Sequence, residues 1–319
     1  MKIFFRAFFV FIFLLLTFQI ITDSFLKPFP RFDLLNTYLE EKKQIIYLGD
    51  SVIFSGANND TDHSSISEMT EKMNNGITIG DYSSPAYNPI LYEGIMDYLS
   101  RQSYKPEAVI LPVNLRSFSP LWKDNPMFQF EKEKFYFTSQ IPLLYHFYKP
   151  LAVMRAINAN TISWDSYYGI PVYYGEKQVG TMKDFDNEKK FASSTEARIR
   201  EKYAVSYLFN LKQDDRSLLA LERTLDIATH AGIKVYLYIT PLDHEKGEDY
   251  FGKDFTTQIQ KNAKLVCDMV KEKGFQCLDL SSRLPHKNFS TPDYPVEHLD
   301  QSGRTYVAEQ VTKTFLKRR

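Results

Sequence analysis

The stretch Gln44-Ile-Ile-Tyr-Leu-Gly-Asp-Ser-Val-Ile-Phe-Ser-Gly56 decides the fold, because it joins a short apolar run to a sharp turn. Ile45–Leu48 has the length and β-branched content of a buried strand. Gly49 lets the chain turn, and Ser51 follows at the carboxyl end of that strand, where open α/β sheets bind their ligands. Ser51 is therefore a candidate nucleophile, although Gly-Asp-Ser also occurs as ordinary turn chemistry that caps a following helix.

The rest of the chain alternates strands with helices. The pattern predicts strand 45–49, helix 64–74, strand 77–81, helix 89–102, strand 108–113, an irregular stretch to about Asp215, helix Arg216–His230, strand Lys234–Ile239, helix 255–273, strand 275–280 and helix 302–317. This alternation predicts a parallel sheet with helices on both faces, joined by right-handed crossovers. Residues 27–319 fit one large α/β domain with an insertion at about 116–215.

A second candidate residue, His298, lies near the other end of the chain in Glu297-His-Leu-Asp-Gln-Ser-Gly-Arg304. Apolar residues recur at helical spacing after it, which predicts an amphipathic C-terminal helix. They are Tyr306, Val307, Val311, Phe315 and Leu316. His298 therefore lies on the loop that leads into the last helix, where the simplest alternative is a solvated histidine.

Together these residues resemble the SGNH/GDSL hydrolase family, in which the serine is the nucleophile and the histidine is the general base. The resemblance implies a flavodoxin-like three-layer α/β/α sandwich and catalysis by Ser51 and His298. Asn114, after the apolar run 108–111, matches the family's asparagine that helps bind the oxyanion, although the usual Gly-x-Asn-Asp is not kept. The block that supplies the other oxyanion donor matches 77–86 poorly.

The third member of the triad stays open. The family's aspartate precedes the histidine by three residues, and this position is Pro295 here. Asp293 is the nearest upstream carboxylate and is the preferred candidate. Glu297 is adjacent to His298, an awkward place from which to orient the imidazole. A dyad without an acid, or with a backbone carbonyl as the acceptor, is a further alternative.

The N-terminus predicts an uncleaved signal anchor over residues 1–26. Lys2 and Arg6 precede a long apolar stretch, and no Ala-x-Ala cleavage site follows it. Ile3–Ile21 is near the length of ~17–25 residues that a membrane-spanning helix needs. The basic residues place the N-terminus in the cytoplasm, so we expect the remaining domain to be periplasmic or extracellular.

The charge balance and the cysteine spacing give no indication of nucleic acid binding or of a metal site. The chain has 39 basic and 39 acidic residues, and this balance gives no indication of nucleic acid binding. Cys267 and Cys277 lie in a predicted helix and the strand after it, so a disulfide is possible outside the cytoplasm. Their spacing is not a metal motif, and we expect no cofactor and no metal.

The insertion at about 116–215 is rich in aromatic residues. They are Trp122, Phe128, Phe130, Phe135, Tyr136, Phe137, Tyr145, Phe147, Tyr148, Trp164, Tyr167, Tyr168, Tyr173 and Tyr174. Such an insertion forms a lid or a binding surface in many proteins, and aromatic faces suit sugar rings. The alternatives are a small satellite core, and a segment Ile141–Ile157 that lies against the membrane or a partner.

The resemblance implies a membrane-anchored extracytoplasmic serine esterase or O-acyltransferase that acts on acyl groups, acetyl above all, of a cell-surface polysaccharide. Its substrate would be a carbohydrate or an acyl ester, and a multi-pass membrane acyltransferase is a candidate partner. The alternative is a catalytically inactive glycan-binding or assembly component of a polysaccharide modification or export machinery. The departures around Asn114 and at Pro295 favour this second interpretation.

Overall fold

The computed structural model describes residues 2–25, 32–125, 128–138, 162–187, 194–291 and 297–317. The helices are α1 Lys2–Phe25, α2 Phe32–Glu40, α3 Ile66–Met73, α4 Pro89–Ser100, α5 Pro120–Lys123, α6 Glu131–Thr138, α7 Trp164–Tyr168, α8 Met182–Asn187, α9 Ser194–Tyr207, α10 Arg216–Ala231, α11 His244–Phe251, α12 Lys253–Glu272 and α13 Gln301–Val311. Short 3-10 helices span Leu115–Phe118 and His286–Asn288. The strands are β1 Ile45–Gly49, β2 Ile79–Ser83, β3 Ala108–Val113, β4 Pro171–Tyr174, β5 Lys177–Thr181, β6 Lys234–Ile239 and β7 Gln276–Asp279.

Five strands form one parallel sheet in the order β2-β1-β3-β6-β7. This confirms the predicted α/β fold with a parallel sheet. The order is that of flavodoxin-like doubly wound sheets, in which the winding direction reverses between the first strand and the third. Connections leave β1 and β3 in opposite directions, and ligands of such sheets bind beside the carboxyl ends of these strands. Asn114 directly follows β3, and Ser51 is the second residue after β1.

Helices cover both faces of the sheet. Ile46 and Leu48 of β1 belong to the core that α2, α4, α10 and α12 cover. Ile45 and Tyr47 alternate with them and belong to the core that α3 and α13 cover on the opposite face. Because both faces are buried, the strands read as continuous apolar runs instead of alternating ones. This is why β1 could be predicted from five consecutive residues.

Local signals in the sequence fix where the helices begin and end. Ser65 and Glu68 form a capping box at the start of α3. Asp215 caps α10 through the N–H groups of its first turn, and Gly232 ends that helix in the left-handed conformation.

The predicted elements lie within two residues of their expected bounds, apart from the last helix and the insertion, and the structure adds two helices that the patterns did not predict, α2 and α11. β2 begins two residues late, because Ile77 still donates its N–H to Asn74 O in the turn that closes α3. α13 ends at Val311 and continues as a π-helical segment over Thr312–Leu316. In place of the expected irregular stretch, the described residues between β3 and α10 form helices α5 to α9 and the antiparallel hairpin β4–β5.

The aromatic residues of the insertion divide into two groups. Phe137, Tyr203 and Tyr207 are buried in the same core as α4, α10 and α12, so they extend the main core instead of forming a separate one. Trp164 is 73% exposed and stacks on Tyr168. The segment 141–157, proposed to contact a membrane or partner, lies outside the described residues.

The N-terminal helix α1 exposes large apolar side chains. They are Ile3, Phe4, Phe5, Phe8, Phe9, Val10, Phe11, Phe13, Leu14, Leu16 and Phe18. Over the part of the chain that the structure describes, no helix has both the length and the hydropathy that a membrane crossing requires. The signal anchor over 1–26 stays a prediction.

A disulfide joins Cys267 of α12 to Cys277 of β7, whose Cα atoms lie 5.3 Å apart. The helix and the strand that follows it run back along each other, as the sequence suggested. The bond fixes α12 to the edge strand of the sheet. By the loop-entropy relation, a crosslink over so short a loop stabilises the fold by about 2–3 kcal/mol.

We expect Gly49→Ala to destabilise the fold more than Gly76→Ala. Both glycines have positive φ, +155° and +88°, and an L residue costs roughly 1–2 kcal/mol in such regions. A Cβ at Gly49 would also clash with Ile53 Cγ1 and lie 2.9 Å from Pro112 Cγ, whereas nothing lies within 4 Å at Gly76. Overpacking adds roughly 1–3 kcal/mol. Urea unfolding of both variants measures the difference, and equal losses would contradict it.

Candidate active site

The turn after β1 places Ser51 at the carboxyl edge of the sheet. Asp50 Oδ1 accepts a hydrogen bond of 3.0 Å from Val52 N–H, so the aspartate closes the turn on both sides of Ser51. Ser51 O accepts from Ser55 N–H at 2.9 Å, which begins the next turn. Ser51 is half-buried. Its hydroxyl thus sits in a fixed turn and still reaches the surface.

His298 contacts Ser51 from the opposite end of the chain. Ser51 Oγ and His298 Nε2 lie 3.0 Å apart, across a sequence separation of 247 residues. Two backbone hydrogen bonds pair the segment around His298 with the segment around Phe289. Ser290 N–H donates to His298 O at 2.8 Å, and Asp300 N–H donates to Asn288 O at 2.9 Å. A serine hydroxyl at this distance from an unprotonated imidazole nitrogen can transfer its proton to that nitrogen.

No residue that the structure describes accepts a hydrogen bond from His298 Nδ1. Asp293, the preferred triad acid, lies outside the described residues, so its role stays a prediction. Glu297, the second candidate, is buried, and its carboxylate contacts Asn114, Tyr207 and Arg116 instead of the imidazole. Within the described chain the site is therefore a Ser–His dyad.

A buried polar cluster lies behind the dyad, and we call its members Asp50, Asn114, Arg116, Tyr207 and Glu297 the Arg116 cluster. Arg116 Nη2 lies 3.5 Å from Asp50 Oδ2, and Arg116 Nε lies 3.3 Å from Glu297 Oε2. Tyr207 donates its hydroxyl hydrogen to Glu297 Oε1. The side chains of the three charged residues are at most 7% exposed.

Asn114 belongs to this cluster through both ends of its amide. Its Oδ1 accepts from Arg116 N–H at 3.1 Å and caps the short helix Leu115–Phe118. Its Nδ2 donates to Asp50 Oδ2 at 3.3 Å and to Glu297 Oε2. The amide hydrogens thus go to carboxylates in this structure, and the oxyanion role of Asn114 stays a prediction.

Two other groups bear on the oxyanion. No acceptor for the N–H of Ser51 itself lies among the described residues, which leaves this donor for a ligand. The weakly matching block 77–86 ends beside the site, because Ser84 N–H donates to Gly49 O at 3.0 Å. The turn that follows holds Ala86 at a φ of +64°.

Burial and charge set the protonation of the site. Burial raises the pKa of Glu297 to about 7, although the Arg116 cation and the Tyr207 hydroxyl act in the opposite direction. One cation faces two carboxylates, so a proton on Glu297 leaves the cluster neutral. Burial also lowers the pKa of His298, and repulsion from Arg116 lowers it further. The imidazole is therefore neutral, and able to act as a base, at neutral pH.

Two members of the cluster were not identified from the sequence. Arg116 is the one charged residue in the mainly apolar run Ala108–Phe118, and a buried charge in such a run requires a buried partner; this signal was available. Tyr207 is one of 21 tyrosines, and nothing in its neighbourhood in the sequence distinguishes it. Its role depends on where α9 packs.

Two cavities of the molecule lie away from the dyad. Cavities of about 490 and 570 Å³ are lined by residues of α4 with α10 and of α13 with the loop at Asp60, and neither includes Ser51 or His298. Within the described ranges, no group of three or more His, Cys, Asp and Glu side chains could hold a metal ion.

Neither the models of known protein families nor the curated protein sequences give a significant match to this chain.

Replacing Glu297 should remove a pH-dependent part of the stability. Its carboxyl has a pKa of about 7 in the fold against an ordinary 4.5, so the native state binds more protons than the unfolded state between these values. Stability from this group is complete below pH 4.5 and falls as pH rises to 7, by roughly 3 kcal/mol. Urea unfolding of wild type and Glu297→Gln at several pH values measures it. A constant difference between the two proteins would contradict the raised pKa.

Proposed function

We propose that this protein is a serine ester hydrolase or acyltransferase in which Ser51 is the nucleophile and His298 is the general base. The observation that carries the proposal is the 3.0 Å contact between Ser51 Oγ and His298 Nε2. It lies at the carboxyl edge of a doubly wound parallel sheet, beside the strand pair where the winding reverses. The resemblance of the sequence to SGNH/GDSL hydrolases is in accord with this geometry.

The proposed reaction has two half-reactions that use the same two side chains. Ser51 Oγ attacks the ester carbonyl carbon as its proton passes to His298 Nε2. The C–O bond to the leaving alcohol then breaks, and Nε2–H returns the proton to that oxygen. Water or an acceptor hydroxyl, deprotonated by His298, attacks the acyl-enzyme and releases Ser51. Hydrolysis and transfer differ only in this second nucleophile.

Stabilisation of the tetrahedral oxyanion is the demanding part of this proposal. The Ser51 N–H is one donor, and losing a single donor typically costs roughly 2.7–4 kcal/mol of barrier. Asn114 becomes a second donor if one of its Nδ2 hydrogens turns from a carboxylate to the oxyanion. A protonated Glu297 holds that hydrogen less strongly than a charged one, and the raised pKa of Glu297 favours the protonated form.

We also propose a compartment, a membrane attachment, a substrate and a partner for this protein. The disulfide between Cys267 and Cys277 suits an oxidising compartment, which supports a location outside the cytoplasm. Attachment to the membrane through residues 1–26 rests on the sequence. Acetyl groups of a cell-surface polysaccharide as substrate, and a multi-pass membrane acyltransferase as partner, rest on the resemblance alone.

The second candidate function is an inactive glycan-binding or assembly component. It is favoured by the amide of Asn114, whose hydrogens go to Asp50 and Glu297. An oxyanion site with one donor would turn over slowly or not at all. The intact Ser51–His298 contact favours catalysis.

Exposure to p-nitrophenyl acetate should add one acetyl group to Ser51 of the full-length protein. Ser51→Ala removes the nucleophile and His298→Ala removes its base, so both variants should lose the adduct. Intact-protein mass spectrometry, followed by peptide mapping, identifies the modified residue.

Ser55→Ala and His63→Ala are the matched controls, since both residues lie in the loop after Ser51 and neither side chain is hydrogen-bonded to the dyad; the alanine at position 55 keeps the backbone N–H that donates to Ser51 O. Both controls should keep the adduct. Folded wild type that forms no adduct and shows no turnover would support the binding component over the enzyme.

The acylation rate should increase with pH and level off before neutrality. Only the neutral imidazole can accept the Ser51 proton, and burial lowers the pKa of His298 from its usual 6.5. Stopped-flow measurement of p-nitrophenol release between pH 4.5 and 8 gives the profile. A midpoint above 6.5 would contradict the proposed environment of His298.

A further inference from the structure

We propose that Arg116 is a positioning residue that holds Ser51 and His298 together by contacting the residue immediately before each of them. Asp50 precedes Ser51, and Glu297 precedes His298. The guanidinium group contacts both carboxylates, at 3.5 Å and 3.3 Å. This inference rests on the proposed function only in assigning a reaction to the dyad.

The Asp50 contact acts on Ser51 through the turn. While Oδ2 faces Arg116, Oδ1 of the same carboxylate accepts the Val52 N–H. A change in the direction of this side chain would therefore move the peptide on both sides of Ser51. The carboxylate is 4% exposed, so water does not replace the guanidinium as its partner.

The Glu297 contact acts on His298 through the backbone. Glu297 has a φ of +53°, a conformation that is unfavourable for a non-glycine residue and needs support from its surroundings. The support comes from contacts of its buried carboxyl with Arg116, Asn114 and Tyr207. This conformation sets the direction in which the next residue, His298, leaves the chain.

An arginine suits this position better than a lysine. Its planar guanidinium presents several N–H groups in fixed directions and can face two carboxylates at once, whereas an ammonium is a point charge. The ring of Trp122 lies over the guanidinium, 4.9 Å from its carbon to the ring centroid, and fixes its plane. The insertion thus supports the position of the dyad indirectly, through the contact between Trp122 and Arg116.

In serine hydrolases with a triad, a carboxylate that accepts from Nδ1 orients the imidazole. None of the described residues does so here. The Arg116 cluster supplies an orienting constraint by a different route, since it fixes the backbone on either side of the dyad. A displacement of about 1 Å at such a site can cost about 100-fold in rate.

Arg116→Lys in the full-length protein tests the proposal. The reagent is an alkyl fluorophosphonate, which phosphonylates an activated serine with loss of fluoride. We expect the maximal rate of Ser51 labelling to fall about 10- to 100-fold, with the apparent binding constant of the reagent within about twofold. A crystal structure of the variant should show Ser51 Oγ and His298 Nε2 separated by more than the 3.0 Å of wild type.

Two further variants complete the design. Arg223→Lys is the matched control, because Arg223 also pairs with a glutamate, Glu93 at 2.8 Å, but lies at the surface of α10. It should label at the wild-type rate. Asp50→Asn combined with Arg116→Gln removes the ion pair as a neutral unit and keeps an acceptor for Val52 N–H. We expect this double variant to lose as much of the Ser51 labelling rate as Arg116→Lys does. The double variant serves as the test if the Arg116→Lys protein does not fold.

The outcomes separate the two proposals. Slow labelling together with an opened dyad in Arg116→Lys supports both. A wild-type Ser51 that does not react, with a dyad that still opens in the variant, would overturn the proposed function and leave the positioning role standing. Labelling at the wild-type rate with the 3.0 Å contact intact in the variant would overturn the positioning role alone.

Discussion

The site depends on one buried cation. Removing a guanidinium and two carboxylates from water costs several kcal/mol for each ion, and good mutual geometry is needed to offset that cost. Arg116 meets Asp50 and Glu297 with almost no exposure of any of the three side chains. Burial raises the pKa of Glu297 to about 7 even beside this cation, and a proton on Glu297 brings the three groups to neutrality. The same contacts tie the end of β1, the segment after β3 and the segment before α13 into one unit.

The sheet topology brings these three segments together. β1 pairs with β3, so Asp50 and Asn114 leave adjacent strands at the same edge. α13 packs on the opposite face from α4 and α10, and the segment before it returns over that edge. Ser51 and His298 are 247 residues apart in sequence, and the topology of this one sheet is enough to bring them into contact. The insertion adds Tyr207 from α9 and Trp122 from α5, so it contributes support behind the dyad.

The sequence predicts best what depends on local pattern. β1, β3 and β6 have the predicted bounds, because a strand buried on both faces reads as a short apolar block. Ser51 could be picked out because it comes after a recognisable strand, and His298 because it comes before a recognisable helix. The Arg116 cluster could not be predicted as a unit, since its members come from four separate segments that only the tertiary fold brings together. α9 was missed because five of the seven residues from Glu196 to Lys202 are charged and its buried tyrosines come near its end.

The nature of the acceptor at His298 Nδ1 decides which substrates the site suits. An acid that accepts from Nδ1 stabilises the imidazolium that forms during attack, and Asp293 is the residue predicted to supply it. Among the described residues the imidazolium is opposed by burial and by Arg116, and only Asp50 favours it. Such a histidine is a weak base, and its conjugate acid donates a proton readily. A site of this kind aids departure of the leaving group more than attack by serine, which suits an activated acyl donor better than a stable alkyl ester.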